Sequence, residues 1–302
     1  MNTYMREMPV SFPGLFPDLQ INIDPIALHI GHGIYWYGII IALGFMLAVL
    51  FCARRTAHYG IKSDDLYDML IVATPLSVVG ARLYYVIFYF DLFRSDAGGI
   101  DWGKVIAIWD GGLAIYGGVI VAVLSVLGFC AYKKIKAAAM LDLGCMGLLI
   151  GQMVGRWGNF VNREAFGAET TLPWRMRLWE SADHFIDVHP TFLYESLWNL
   201  LGLLLIVFLV EKHRRFDGEN FAFYLFWYGL GRAWIEGLRT DSLYLFDWTL
   251  FGMPIRVSQL LSVVLCVAAA AVLVYQLKCK KHDPGELYVN QVQTGGKEEH
   301  GN

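Results

Sequence analysis

Three stretches of this 302-residue chain set charged, amide or phenol side chains at helical spacing inside otherwise apolar runs. Arg82, Tyr85 and Tyr89 form the first set, Arg156, Asn159 and Arg163 the second, and Arg232, Glu236 and Arg239 the third. Each set falls on one helical face if its helix runs that far. The second belongs to "GRWGNFVNREAFG", residues 155–167, which breaks abruptly out of the greasy run "LDLGCMGLLIGQMV". A charge at membrane depth costs roughly a few kcal/mol, so such a cluster needs a compensating role. Arginine carries a planar fork of donors that matches a phosphate. Arginines gathered with a glutamate and amides at headgroup depth suit an anionic lipid headgroup.

Glycines accompany the stripes: Gly80, Gly155, Gly158, Gly229 and Gly231, and Gly111, Gly112, Gly117 and Gly118 of "WDGGLAIYGG", with Tyr116 beside the second pair. Small residues allow close helix approach or give a ligand access to backbone. Plainer roles compete. An arginine such as Arg163 near a span end can snorkel to the headgroups. Trp36 and Trp109 suit an interfacial aromatic belt. Arg232 and Glu236 can form a structural ion pair, and the glycine pairs can serve packing alone. Convergence of several such groups on one side of the bilayer favours a site.

The elements that must hold these residues follow from composition. The chain is 56% hydrophobic and only 17% charged, against about a quarter charged in soluble domains. An all-α integral membrane protein is expected, with about seven spans of roughly 20 residues, near 34–52, 67–90, 111–132, 140–161, 191–210, 219–238 and 257–277. Basic residues cluster in alternate connectors: Arg54, Arg55 and Lys62, then Lys133, Lys134 and Lys136, then Lys212, Arg214 and Arg215, then Lys278, Lys280 and Lys281. That bias puts the N-terminus outside and the C-terminus in the cytoplasm. The outside segments are then 1–33, 91–110, 162–190 and 239–256, with 162–190 a small cap. The transmembrane domain runs 34–277, and the polar tail 278–302 is expected to be disordered. The first thirty residues lack the pattern of a cleaved signal peptide, so the first span is expected to stay as an anchor.

Several function classes are excluded. No basic run suggests nucleic acid. The five cysteines, Cys52, Cys130, Cys145, Cys266 and Cys279, are scattered and support neither a zinc site nor a disulfide framework. There is no GxSxG, HExxH or Walker loop, and no acidic pair spaced like a divalent-metal site, so neither metal nor cofactor is expected. The residues alone lead to an outward-facing polar site between helices, suited to a phospholipid, and name no reaction.

The opening motif goes further. "GRWGNFVNREAFG" closely resembles the GRxGNFxNxExxG motif of prolipoprotein diacylglyceryl transferases. The resemblance extends from about residue 23 to 277: "DPIALHIGHGIYWYGIII" with its Tyr37–Gly38 pair, "GARLYYVIFY", "VHPTFLYES" and "GLGRAWIEGLRTD" each resemble a segment of that family. One position departs from many bacterial members, with Tyr116 in "IYGG" where they carry histidine in His-Gly-Gly; members with tyrosine also exist.

The resemblance implies an enzyme of the bacterial cytoplasmic membrane. It would move the diacylglyceryl group of phosphatidylglycerol onto the lipobox cysteine thiol of a prolipoprotein signal peptide, releasing glycerol 1-phosphate. It implies Arg156, Arg239, Tyr116, Asn159 and Glu164 as catalytic residues, and Tyr37, Arg82, Gly167, Arg232 and Glu236 as substrate-binding ones. Arg156 and Arg239 are assigned to the phosphate, and Asn159 to headgroup oxygens. Arg232 and Glu236 would hold Arg239, and Gly167 would permit a turn that aims Glu164. Tyr116 is open between a base, a hydrogen-bond donor to the leaving phosphate and a pocket wall. The competing classes are a lipid transporter or flippase, whose inverted repeat is not visible here, and a non-catalytic phospholipid-binding scaffold.

Overall fold

The computed structural model describes residues 8–31, 33–94, 99–240, 244–250 and 253–299. Parts of the expected outer segments (1–7, 32, 95–98, 241–243 and 251–252) and the end of the tail, 300–302, lie outside the described residues. The strands in chain order are β1 (Val10–Phe12), β2 (Phe16–Ile21), β3 (Ile26–Leu28), β4 (Ile34–Tyr35), β5 (Met176–Trp179), β6 (Phe185–Val188), β7 (Tyr244–Leu250) and β8 (Met253–Arg256). The long helices are α1 (Trp36–Ala53), α2 (Ser63–Phe88), α3 (Ile115–Lys133), α4 (Ala137–Asn162), α5 (Thr191–Leu205), α6 (Glu219–Leu238) and α7 (Val257–Val274), followed by α8 (Tyr288–Glu299).

Among the described residues, six helical stretches are long and apolar enough to cross a membrane: Trp36–Ala53, Ser63–Phe88, Ile115–Lys133, Ala137–Asn162, Thr191–His213 and Val257–Cys279. The last but one extends α5 through a π-helical turn, Ile206–Val210. The helix at the sixth expected span is α6, which is not among these stretches and carries Glu219, Arg232 and Glu236. Part of the tail expected to be disordered is helical, as α8.

The chain divides into two compact units, Met1–Cys52 with Asp142–Leu287, and Ala53–Leu141 with Tyr288–Asn302. In the first, α1 lies along α4 through small residues. A Cβ at Gly44 would sit 3.1 Å from Val154, one at Gly155 3.2 Å from Ile41, and one at Gly147 3.0 Å from the Cys52 sulfur. Helices α5 and α6 lock reciprocally. The indoles of Trp198 and Trp227 stack at 4.2 Å, and each N–H donates to the other residue's carbonyl, at 3.0 and 2.9 Å. Each indole also rests on a glycine of the other helix, Trp198 on Gly231 and Trp227 on Gly202. Asp142, fully buried on α4, accepts from the backbone N–H of Gly218 (2.7 Å) and Phe221 (2.9 Å) and so caps α6 from a different helix.

Strands β2-β1-β5-β6 form an antiparallel sheet in that order. The sequence suggested a cap from 162–190 alone; half of this sheet comes from the N-terminal segment. Its inner face alternates apolar residues, as a half-buried strand must. Val10, Met176, Leu178 and Val188 pack on Phe160 and Val161 at the end of α4 and Phe192 at the start of α5.

In the second unit α2 and α3 cross glycine to glycine. A Cβ at Gly80 would meet Val121 and the Gly117 carbonyl, and one at Gly117 would meet Tyr84 and the Gly80 carbonyl. Asp64 and Asp65 in the first turn of α2 oppose its dipole favourably.

Candidate active site

Helix α4 presents Arg156 and Asn159 one turn apart, and the Asn159 amide couples two charges. Its Oδ1 accepts from Arg156 Nη1 at 3.3 Å, and its Nδ2 donates to Glu164 Oε1 at 2.9 Å. Asn162 Nδ2 donates to the same Glu164 oxygen at 3.2 Å. Glu164 reaches back because the chain leaves α4 through two non-glycine residues with positive φ, Arg163 at 54° and Ala165 at 56°. That backbone is costly for L-residues and persists where the surroundings over-determine it. Arg163 is 2% exposed and donates to the carbonyls of Met8, Val161 and Ile23, each at 2.9 Å, while the Ala165 carbonyl accepts from the Thr191 hydroxyl. Arg163 therefore neither snorkels nor continues the Arg156 face: it pins the N-terminal segment to the end of α4. Gly167 does not make the turn. A Cβ there would lie 2.6 Å from the His189 Cβ and 3.1 Å from the Leu238 carbonyl, so glycine permits the backbone bridge between Gly167 and Arg239.

Three guanidinium groups converge on one carboxylate. Glu195, buried near the start of α5, pairs through Oε2 with Arg156 Nη2 and through Oε1 with Arg232 Nη1 at 3.1 Å. Arg239 Nη1 lies 3.8 Å from the same Oε1. Glu236, one turn after Arg232 on α6, pairs with Arg232 Nη2. Helix α6 ends at Leu238, so Arg239 stands on extended backbone beyond it rather than on the Arg232 face. Arg239 is held by its bridge to Gly167 and by Glu195, while Arg232 and Glu236 hold each other. Three guanidinium groups share two buried carboxylates, with Glu164 coupled to Arg156 through Asn159, in a site largely shielded from water, where charge–charge interactions are strong.

Tyr37, at the start of α1, lies against Gly158 on α4, where a Cβ would come 2.7 Å from its ring. Its hydroxyl lies within electrostatic reach of Glu164 and Arg156. Trp157 and Ser196 tie α4 to α5 at 3.2 Å, and Gln152 donates to Tyr224 of α6 at 2.9 Å. At the start of α5 the Tyr194 hydroxyl shares a hydrogen bond of 3.2 Å with Nδ1 of His189, which precedes the helix, and burial pushes the His189 imidazole below its ordinary range. The structure thus brings together Arg156, Asn159, Glu164, Tyr37, Gly167, Arg232, Glu236 and Arg239 in the first unit.

Arg82 and Tyr116 belong to the second unit. Arg82 is buried and spends all five N–H groups on backbone carbonyls: Nε on Val105 (2.9 Å), Nη1 on Gly111 (2.6 Å) and Gly112 (2.9 Å), Nη2 on Lys104 (2.6 Å) and Ala107 (3.1 Å). Its guanidinium lies 5.2 Å from the Phe93 ring centre and 5.9 Å from that of Tyr85. The clamp shapes the 104–112 segment that leads into α3, whose second residue is Tyr116. In this arrangement Arg82 holds backbone rather than presenting a free fork.

Glu195 was missed as a site residue although it lies within the quoted "VHPTFLYES". It belongs to no stripe on its own helix, but an acid inside an apolar helix is itself a signal. Among the described residues no group of three or more His, Cys, Asp or Glu side chains is placed to hold a metal ion.

With this geometry in place, sequence comparison is decisive. The profile of the prolipoprotein diacylglyceryl transferase family matches residues 25–275. The chain belongs to this family. Three relatives named phosphatidylglycerol–prolipoprotein diacylglyceryl transferase show the extent of the similarity. That of Lactiplantibacillus plantarum is 41% identical over 277 residues, covering 88% of this chain and 93% of the relative. That of Finegoldia magna is 40% identical over 260 residues, covering 86% and 97%. That of Streptococcus mutans is 44% identical over 257 residues, covering 83% and 95%. The 155–167 motif and the Glu195 cluster occupy the same unit of this structure.

Proposed function

We propose that this membrane transferase moves the diacylglyceryl group of phosphatidylglycerol onto the lipobox cysteine of a prolipoprotein, the first step of bacterial lipoprotein maturation. The observation that carries the reading is the convergence of Arg156, Arg232 and Arg239 on Glu195. The substrate thiolate attacks the glyceryl carbon bearing the phosphate. A C–S bond forms, the C–O bond to phosphate breaks, and its electron pair leaves on the oxygen of glycerol 1-phosphate. The thiol proton must pass to a base, because a free thiol has a pKa near 8.5.

The phosphate carries its charge toward the guanidinium cluster, whose fixed donors stabilise the leaving oxyanion. The cluster supports a three-arginine phosphate site rather than the pair Arg156 and Arg239 alone, since Arg232 is the closer neighbour of Glu195. Asn159 and Glu164 orient Arg156, and Tyr37 lines that side. In the second unit, Arg82 shapes the segment that leads to Tyr116. The nucleophilic sulfur is the substrate's: Cys52, Cys130 and Cys145 are buried, and none of the five native cysteines belongs to the arginine cluster.

The basic connectors support seven spans, α6 among them, with the N-terminus outside and the site toward the extracytoplasmic face of the cytoplasmic membrane. Release of glycerol phosphate by the purified chain, given phosphatidylglycerol and a lipobox peptide, tests the reading against a transporter or a binding scaffold, neither of which releases it.

A further inference from the structure

A second charged recess lies at the far end of the same helices. A cavity of ≈ 440 Å³ is lined by Arg214, Arg215, Lys280, Lys281, His282 and Pro284. It forms where two membrane-length stretches end, Thr191–His213 and Val257–Cys279. Glu195 and Arg214 are separated along one helical run by on the order of 28 Å at 1.5 Å per residue, about the thickness of a bilayer's hydrocarbon core. The cavity and the guanidinium cluster therefore belong to opposite membrane faces.

The lining holds four permanent cations and no carboxylate. Arg214 pairs with buried Asp142 at 3.8 Å, a carboxylate that also accepts from the Gly218 and Phe221 N–H groups, and Glu219 accepts from the Arg215 backbone N–H at 2.6 Å. One wall is fixed, since the His282 ring stacks on Phe216 at 5.0 Å and shares a 2.8 Å hydrogen bond with the Gln276 carbonyl. On the last turns leading to the cavity, Phe208 and Leu209 of one helix and Val274 and Tyr275 of the other are exposed. A general excess of basic residues at one membrane face explains their number. It does not explain their convergence in a concave, carboxylate-free site. Lys133, in another basic connector, is instead paired with Asp65 and Asp68.

We propose that this cavity binds the phosphate of an anionic glycerophospholipid from the leaflet at that face, as a second lipid site separate from the transfer site. Exposed Arg215 offers a forked donor, Lys280 and Lys281 offer point charges, and Arg214 forms part of the wall beside Asp142. The exposed apolar residues below the cavity receive the acyl chains, which favours a lipid over free phosphate.

The test is backbone hydrogen exchange of peptides spanning 211–216 and 280–286. The full chain is placed in phosphatidylcholine nanodiscs, in nanodiscs containing phosphatidylglycerol, and in phosphatidylcholine nanodiscs with inorganic phosphate added. Both peptides are expected to be protected by phosphatidylglycerol alone. The combined variant Arg215→Gln, Lys280→Gln, Lys281→Gln, at exposed positions, should weaken that response by about fivefold per cation removed. A control with Lys134→Gln and Lys136→Gln should keep it. Equal exchange in neutral and anionic discs would overturn the site. Equal protection by inorganic phosphate would overturn the lipid assignment, and equal loss in the control would reduce the effect to general surface charge. The readout does not require transfer activity, so the proposal stands or falls separately from the reaction assigned above.

Discussion

Glu195 is the residue on which the site turns. Glu195→Gln keeps the side chain's shape and removes the anion shared by three guanidinium groups, so Arg156 and Arg232 lose the partner that sets their spacing. The expected result is a fall in kcat/KM of at least about tenfold, or about 1.4 kcal/mol of transition-state stabilisation. Arg156→Ala, Arg232→Ala and Arg239→Ala should each lose at least as much, and lysine should not restore full activity because it lacks the fork. Combining Glu195→Gln with Arg156→Ala should cost less than the sum of the two, since they share one interaction; strictly additive losses would separate Glu195 from the phosphate site. Arg156, Asn159 and Glu164 were legible in the sequence because they sit within one short motif. Glu195 was obscure because its partners come from α4 and α6, and Arg163 misled because it follows the helical period while its backbone has already left the helix.

At the scale of elements, the α5–α6 lock keeps Arg232 against Glu195. Gly231→Ala would drive a methyl into the Trp198 indole, so α6 must retreat from α5. A loss of roughly 1–3 kcal/mol of stability is expected from such overpacking, read as a lower melting temperature together with reduced kcat/KM; a variant with wild-type values of both would show that the two helices do not depend on this contact. The sheet makes a separate prediction. Arg177, with Arg175, holds the Asp187 carboxyl below the usual carboxylate range against the opposing effect of burial. A depressed folded pKa contributes stability that is complete above the unfolded value of about 3.9 and disappears as pH falls through the lower folded value. Protection of residues 176–188 in hydrogen exchange should therefore hold steady from neutral pH to about pH 4 and then decline, and Asp187→Asn should flatten that acid dependence. Spans were readable because hydropathy is local. The sheet was not, because β1 finds β5 across more than 150 residues and no short-range pattern announces the pairing.

For the whole molecule, the basic connectors predict which face meets the cytoplasm. In a background lacking half-buried Cys266 and exposed Cys279, Lys134→Cys should resist an impermeant thiol reagent in intact cells and Asp183→Cys should react; the reverse pattern would invert the orientation. Loop charge alone puts the site and the segments 1–33 and 162–190 on one face; the structure joins these segments in a sheet that packs on the end of α4 and the start of α5, in the same unit as Arg156 and Glu195. The most direct measurement is the reaction itself. Purified chain, phosphatidylglycerol labelled in its headgroup glycerol and a synthetic lipobox peptide should release labelled glycerol phosphate and give a peptide heavier by one diacylglyceryl group, with neither product when the peptide's cysteine is replaced by serine. Lipid bound or moved across the bilayer by folded protein, with no glycerol phosphate released and no peptide modified, would contradict the account.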